Sequence, residues 1–177
     1  NSTGANNVAV GSSALYANTT GTQNVAIGTN TLDAMLTGSY NTAIGNGALS
    51  ANTSGPGNVA VGYNAMGTGT GSNGDNVAVG KDSLAVNTAG NNTAVGTQAL
   101  TSNTTGADNV AVGLYALGNN TTASLNTAVG RSSLHANTTG ANNTAVGYQS
   151  LYTNTTGASL SAVGVGALYA NTTGSNN

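Results

Sequence analysis

Apolar and polar residues alternate along this chain with a long period as well as a short one. A unit Asn-Val-Ala-Val-Gly-x-x-Ala-Leu-x-x-Asn-Thr-Thr-Gly-x-x starts at Asn7, Asn24, Asn41, Asn58, Asn76, Asn92, Asn109, Asn126, Asn143 and Leu160. The spacing is 17 residues, except for one step of 18 after Asn58 and one of 16 after Asn76. The two irregularities cancel, as expected when a loop absorbs them and the stacked elements keep register. Numbering the unit one to seventeen, position three is Ala and position five Gly in all ten units. Position four is Val or Ile throughout, and position nine is Leu except for Met66. Val-Ala-Val and Thr-Ala-Val favour strand, while the Gly and the Asn-Thr-Thr-Gly run supply turns. A period of 17 is too short for helical or leucine-rich repeats.

The predicted fold is all-β: one parallel β-solenoid (a β-roll) over residues 1–177, built of ten coils with two short strands and two turns each. At the strand spacing of about 4.8 Å, ten coils span roughly 48 Å. Period-two parity assigns each column a task. The aliphatic residue at four and the Leu at nine are expected inside the coil. The small residue at three then faces outward, so a partner chain is expected over Ala9, Ala26, Ala43, Ala60, Ala78, Ala94, Ala111, Ala128, Ala145 and Ala162. The Asn at position one recurs in nine coils and predicts a stacked amide ladder, which Leu160 interrupts. Gly at five implies a positive φ or a close backbone approach at the corner.

Composition sharpens this picture. Asn and Thr occur 28 times each and Gly 27 times, whereas only 3% of residues are charged, against about 25% in a typical soluble protein. A disordered chain would be more charged and would lack the recurring Val, Leu and Ala. Two basic residues and a net charge of −2 give no footprint for nucleic acid or an anionic membrane. No apolar run approaches the roughly 20 residues of a membrane span.

Little of this sequence resembles catalytic machinery. His135, the single His, sits at the freely varying position ten, and no carboxylate is placed to work with it on a Ser or Thr. No Lys stands at phosphate-loop spacing, and no Asp-rich turn recurs as in calcium-binding β-rolls. The expectation is a non-enzyme with no cofactor and no metal. Tyr16, Tyr152 and Tyr169 share position ten and Tyr63 and Tyr148 position six, either as corner covers or as a surface for sugars or proteins. Asn18, Asn52, Asn103, Asn120, Asn137, Asn154 and Asn171, all at position twelve in Asn-x-Ser/Thr sequons, are either turn residues or acceptors for N-linked glycan. Adjacent rather than alternating threonines, such as Thr138-Thr139, argue against an ice-binding face.

The stretch Asn143-Thr144-Ala145-Val146-Gly147-Tyr148-Gln149-Ser150-Leu151, repeated in variants along the whole chain, resembles the head repeats of YadA-like trimeric autotransporter adhesins. It also resembles the repeat arrays of phage tail fibres and bacterial surface proteins. The adhesin repeat is shorter, and the Asn-Thr-Thr-Gly segment is additional here. The resemblance implies a left-handed roll, a homotrimer, and an extracellular, cell-surface or virion-fibre location with a structural and adhesive role. A phage tail-fibre shaft and a self-stacking filament subunit are the alternatives. The chain opens and closes at the same phase of the repeat, which predicts an uncapped segment of a longer array, or coils that stack end to end on like subunits.

Overall fold

The computed structural model describes residues 2–69 and 74–177. Ten three-residue strands follow one another: β1 (Val8–Val10), β2 (Val25–Ile27), β3 (Thr42–Ile44), β4 (Val59–Val61), β5 (Val77–Val79), β6 (Thr93–Val95), β7 (Val110–Val112), β8 (Thr127–Val129), β9 (Thr144–Val146) and β10 (Ser161–Val163). They form one parallel sheet in sequence order, and no helix occurs among the described residues. This is the predicted β-solenoid.

Pairing is in repeat register throughout: Ala9 lies beside Ala26, Ala94 beside Ala111 and Ala145 beside Ala162. The long and short repeats leave it undisturbed, because Val59 pairs with Val77 and Val77 with Thr93. Part of the loop expected to absorb the extra residue lies outside the described residues.

Among the described residues each coil has one strand, not the two predicted. Residues after the strand run through turns instead, with positive φ at positions five, seven, nine and seventeen: Gly113 (135°), Tyr115 (60°), Leu117 (51°) and Leu125 (62°) in the coil that starts at Asn109. Inter-coil hydrogen bonds nevertheless continue round the whole circuit. In that coil the N–H groups of Val110, Leu117 and Thr121 donate to the next coil, and those of Gly113, Tyr115 and Leu125 to the preceding one. Backbone groups are thus satisfied without a second ladder of regular strand. Gly at five meets both expectations. Gly28 has φ +137°, and a Cβ there would lie 2.7 Å from the backbone of Gly45 in the next coil.

The parity of the strand is the reverse of that predicted. The Ala column points into the coil: Ala26, Ala43, Ala60, Ala78, Ala94, Ala111, Ala128 and Ala145 are 0% exposed and Ala162 3%. Ala9, in the first coil, is exposed. The position-four side chains point out instead, with Ile27 and Ile44 each 38% exposed and Val163 74%. From Ala26 to Ala162 the column is therefore not a surface for a partner chain. The reason is room. A narrow coil already holds the side chains of positions one, eight, nine and twelve, so only the smallest side chain fits inside the strand. Position nine lies inside as predicted, and Leu32, Leu84, Leu100, Leu117, Leu134 and Leu151 are fully buried. These leucines hold φ near +50°, which costs roughly 1–2 kcal/mol per residue. Burying each side chain contributes about 1.5–3 kcal/mol, so packing prevails over backbone preference.

Candidate functional site

Much of the interior is amide rather than hydrocarbon: among the described residues 15 asparagines are buried beside 26 apolar residues. At position one, the backbone N–H of each coil after the first donates to the Asn Oδ1 of the coil before: Asn41 to Asn24 at 2.9 Å, Asn109 to Asn92 at 3.0 Å and Asn143 to Asn126 at 2.9 Å. The predicted ladder therefore exists, with side chain to main chain as its recurring rung. Leu160 keeps the backbone half of that rung, since its N–H donates to Asn143 Oδ1 at 3.0 Å, and its apolar side chain fills the vacated amide position.

A second ladder runs through position twelve. Nδ2 of Asn103, Asn120, Asn137, Asn154 and Asn171 donates to Oδ1 of Asn87, Asn103, Asn120, Asn137 and Asn154 respectively. Each also donates to the carbonyl three residues on within its own coil. Both amide hydrogens are thus engaged. Asn18 and Asn52 are buried and donate to the carbonyls of Gly21 and Gly55. In the folded chain these sequon nitrogens are therefore not free acceptors: Asn18, Asn52, Asn103, Asn120, Asn137 and Asn154 are buried, and Asn171 is half-buried with its nitrogen occupied. In the coil starting at Asn24 this position is the buried Met35, and in the one starting at Asn58 it is Gly69. Beside Gly69 a void of about 10 Å³ remains, lined partly by Asn52, Asn76 and Asn87, large enough for about one water.

With the interior committed to structure, chemistry is left to the outside. Two surfaces stand out. One is the outer face of the sheet, where positions two and four present Val, Ile, Thr and one Ser in ten successive coils, with no charged residue among them. The other lies beyond the position-five corner, in the coils that start at Asn109, Asn126, Asn143 and Leu160. There Tyr115 and His135 meet edge to face with ring centroids 5.9 Å apart. His135 and Tyr152 stack at 5.5 Å, and Tyr152 and Tyr169 at 5.3 Å. The solenoid repeat creates the stack by placing position ten of consecutive coils one above another.

A cleft of about 290 Å³ opens against this stack, lined by Tyr115, Arg131, Ser132, His135, Gln149 and Tyr152. His135 Nδ1 lies 3.1 Å from the carbonyl oxygen of Tyr115. A carbonyl only accepts, so Nδ1 carries the hydrogen and Nε2 is left as an acceptor in the neutral ring. Arg131 is exposed. The single ion pair among the described residues is Lys81–Asp82 at 3.9 Å, so the guanidinium has no carboxylate partner among them.

Sequence reasoning placed His135 at a solvated position; the structure half-buries it between two tyrosines. Tyr152 and Tyr169 come together, whereas Tyr16 stands apart, 79% exposed, because Asp33 follows it in the column. Tyr63 and Tyr148 lie five coils apart. No group of three His, Cys, Asp or Glu side chains that could hold a metal ion occurs among the described residues. No family model, curated protein or solved structure matches the chain.

Proposed function

We propose that the chain is a rigid shaft segment of an extracellular or cell-surface fibre with an adhesive role, and that copies of it associate through the outer faces of β1–β10. The observation that carries this reading is the uncharged column pair at positions two and four. Two outward side chains on each of ten strands about 4.8 Å apart make a strip about 45 Å long and about 10 Å wide. Its area is that of the largest apolar patch of an ordinary monomer, roughly 300–600 Å², which is often functional, and 15 of its 20 side chains are Val or Ile, the others Thr or Ser. A strip without charge meets a copy of itself without like-charge repulsion, and β-branched side chains interdigitate with little loss of rotamer freedom. The resemblance to trimeric adhesin heads favours three copies, and a rod closed by hydrogen bonds on every side suits a shaft.

Sedimentation equilibrium tests this. The wild-type chain is expected at a multiple of its 16.9 kDa mass, three being the favoured number. The double variant Val95→Lys/Val112→Lys is expected as a folded monomer. A wild-type chain that stays monomeric at all concentrations, or a double variant that still associates, sinks the reading.

A further inference from the structure

We propose that the cleft between Tyr115 and Tyr152 binds a carboxylated sugar, a uronic- or sialic-acid-type residue at the end of a glycan. This names a ligand class for the adhesive role above and rests on that reading. Arg131 fixes the sign of the ligand. It is the one arginine of the chain, it lines the cleft, and no described residue neutralises it by an ion pair. A guanidinium presents a planar fork of donors that pairs bidentately with a carboxylate.

The remaining wall fixes the class. Gln149 offers both donors and an acceptor, the Tyr115, Tyr152 and Ser132 hydroxyls both donate and accept, and His135 offers Nε2 as acceptor. Such a mixed set suits a ring of hydroxyl groups, each a donor and an acceptor at once. The dimensions agree. At about 290 Å³ the cleft lies at the lower limit of the roughly 300–1,000 Å³ range of small-molecule sites, sized for one sugar ring rather than an extended peptide. The aromatic faces of His135 and Tyr152 are largely turned toward each other within the stack. Their role is to stiffen the wall and present polar edges, so the wall is pre-formed and loses little rotamer freedom on binding.

Chemical-shift perturbation on the full chain tests the site, with the methyl glycosides of glucuronic acid and N-acetylneuraminic acid as probes and methyl glucoside as the neutral control. Saturable shifts are expected for at least one acid, centred on Arg131, Gln149 and Tyr152, with affinity at least tenfold weaker for the neutral sugar. Arg131→Gln should lose at least tenfold, Arg131→Lys should lose less because the charge remains, and Tyr63→Ala, far along the solenoid, should bind as wild type. Which acid binds separates the two sources. Equal binding of the neutral sugar, undiminished binding by Arg131→Gln, or no shift with either acid overturns the proposal. The oligomer measured by sedimentation is independent of these results, so a glycan failure does not undo the fibre reading.

Discussion

Asn109 and Asn120 share one acceptor: both side-chain amides donate to the carbonyl oxygen of Ala123, each at 2.9 Å. The same convergence recurs one coil earlier, where Asn92 and Asn103 meet on Gly106. The two ladders are therefore cross-linked in these coils, and the carbonyl at position fifteen uses both lone pairs. Removing the Asn120 amide also strands Asn103 Oδ1 and one hydrogen of Asn137 Nδ2, each at a cost of about 1–3 kcal/mol. Asn120→Leu, an apolar replacement at the position where another coil carries Met35, is expected to lose roughly 2–6 kcal/mol on that basis. Asn120→Asp is expected to lose more, because it sets a buried carboxylate against two acceptors. Urea unfolding of both variants checks the order, and an Asp variant as stable as the Leu variant would contradict it.

The leucine column makes a contrasting prediction. Leu100 is fully buried with φ +51°. Leu100→Ala should cost roughly 2–5 kcal/mol through the cavity it leaves. Glycine is normally the worse replacement, yet it adopts positive φ without penalty. Leu100→Gly is therefore expected to be no less stable than Leu100→Ala in denaturant titrations.

Strand parity can be checked with one pair of neighbours. Ala111 is buried and Val112 is 36% exposed. Ala111→Lys forces a charge among packed side chains and should prevent folding. Val112→Lys should retain a native circular dichroism spectrum. The opposite pattern would mean that the Ala column faces outward after all.

Glycan mapping distinguishes neighbouring asparagines. Expressed in a host that modifies sequons, the folded chain should carry glycan on exposed Asn119 and Asn142, which head their own Asn-x-Thr sequences. Asn120, Asn137 and Asn154 should be unmodified by mass spectrometry, since their amide nitrogens are buried and doubly bonded.

The coil, its period and its strand were legible in the sequence because a missing Ala or Gly cannot be absorbed in a stack this tight. Gly28, pressed against Gly45, shows that constraint directly. The inside and outside of the strand were not legible. Residues 59–61 read Val-Ala-Val, apolar on both faces, so polarity gives no direction and only size does. The constancy of Ala signalled a crowded interior, a cue that resembles a close interface between chains. The position-twelve ladder was hidden because Asn-Thr-Thr-Gly is also good turn chemistry, and Asn103 serves both purposes. The aromatic cleft escaped because Tyr115 and His135 occupy different positions of the repeat and meet only when coils stack.

The position-twelve ladder also gives the solenoid a direction. From Asn171 down to Asn103, every side-chain donor points to the coil before it, the sense in which peptide groups point along an α-helix. Amide dipoles aligned this way add up, with the positive pole toward the N-terminal coils. This one column is polar along the rod, although the position-thirteen hydroxyls of Thr104, Thr121, Thr138 and Thr155 donate to the coil after and run against it, and its field fades within about 10 Å in physiological salt. Two such columns meeting in line attract head to tail and repel head to head.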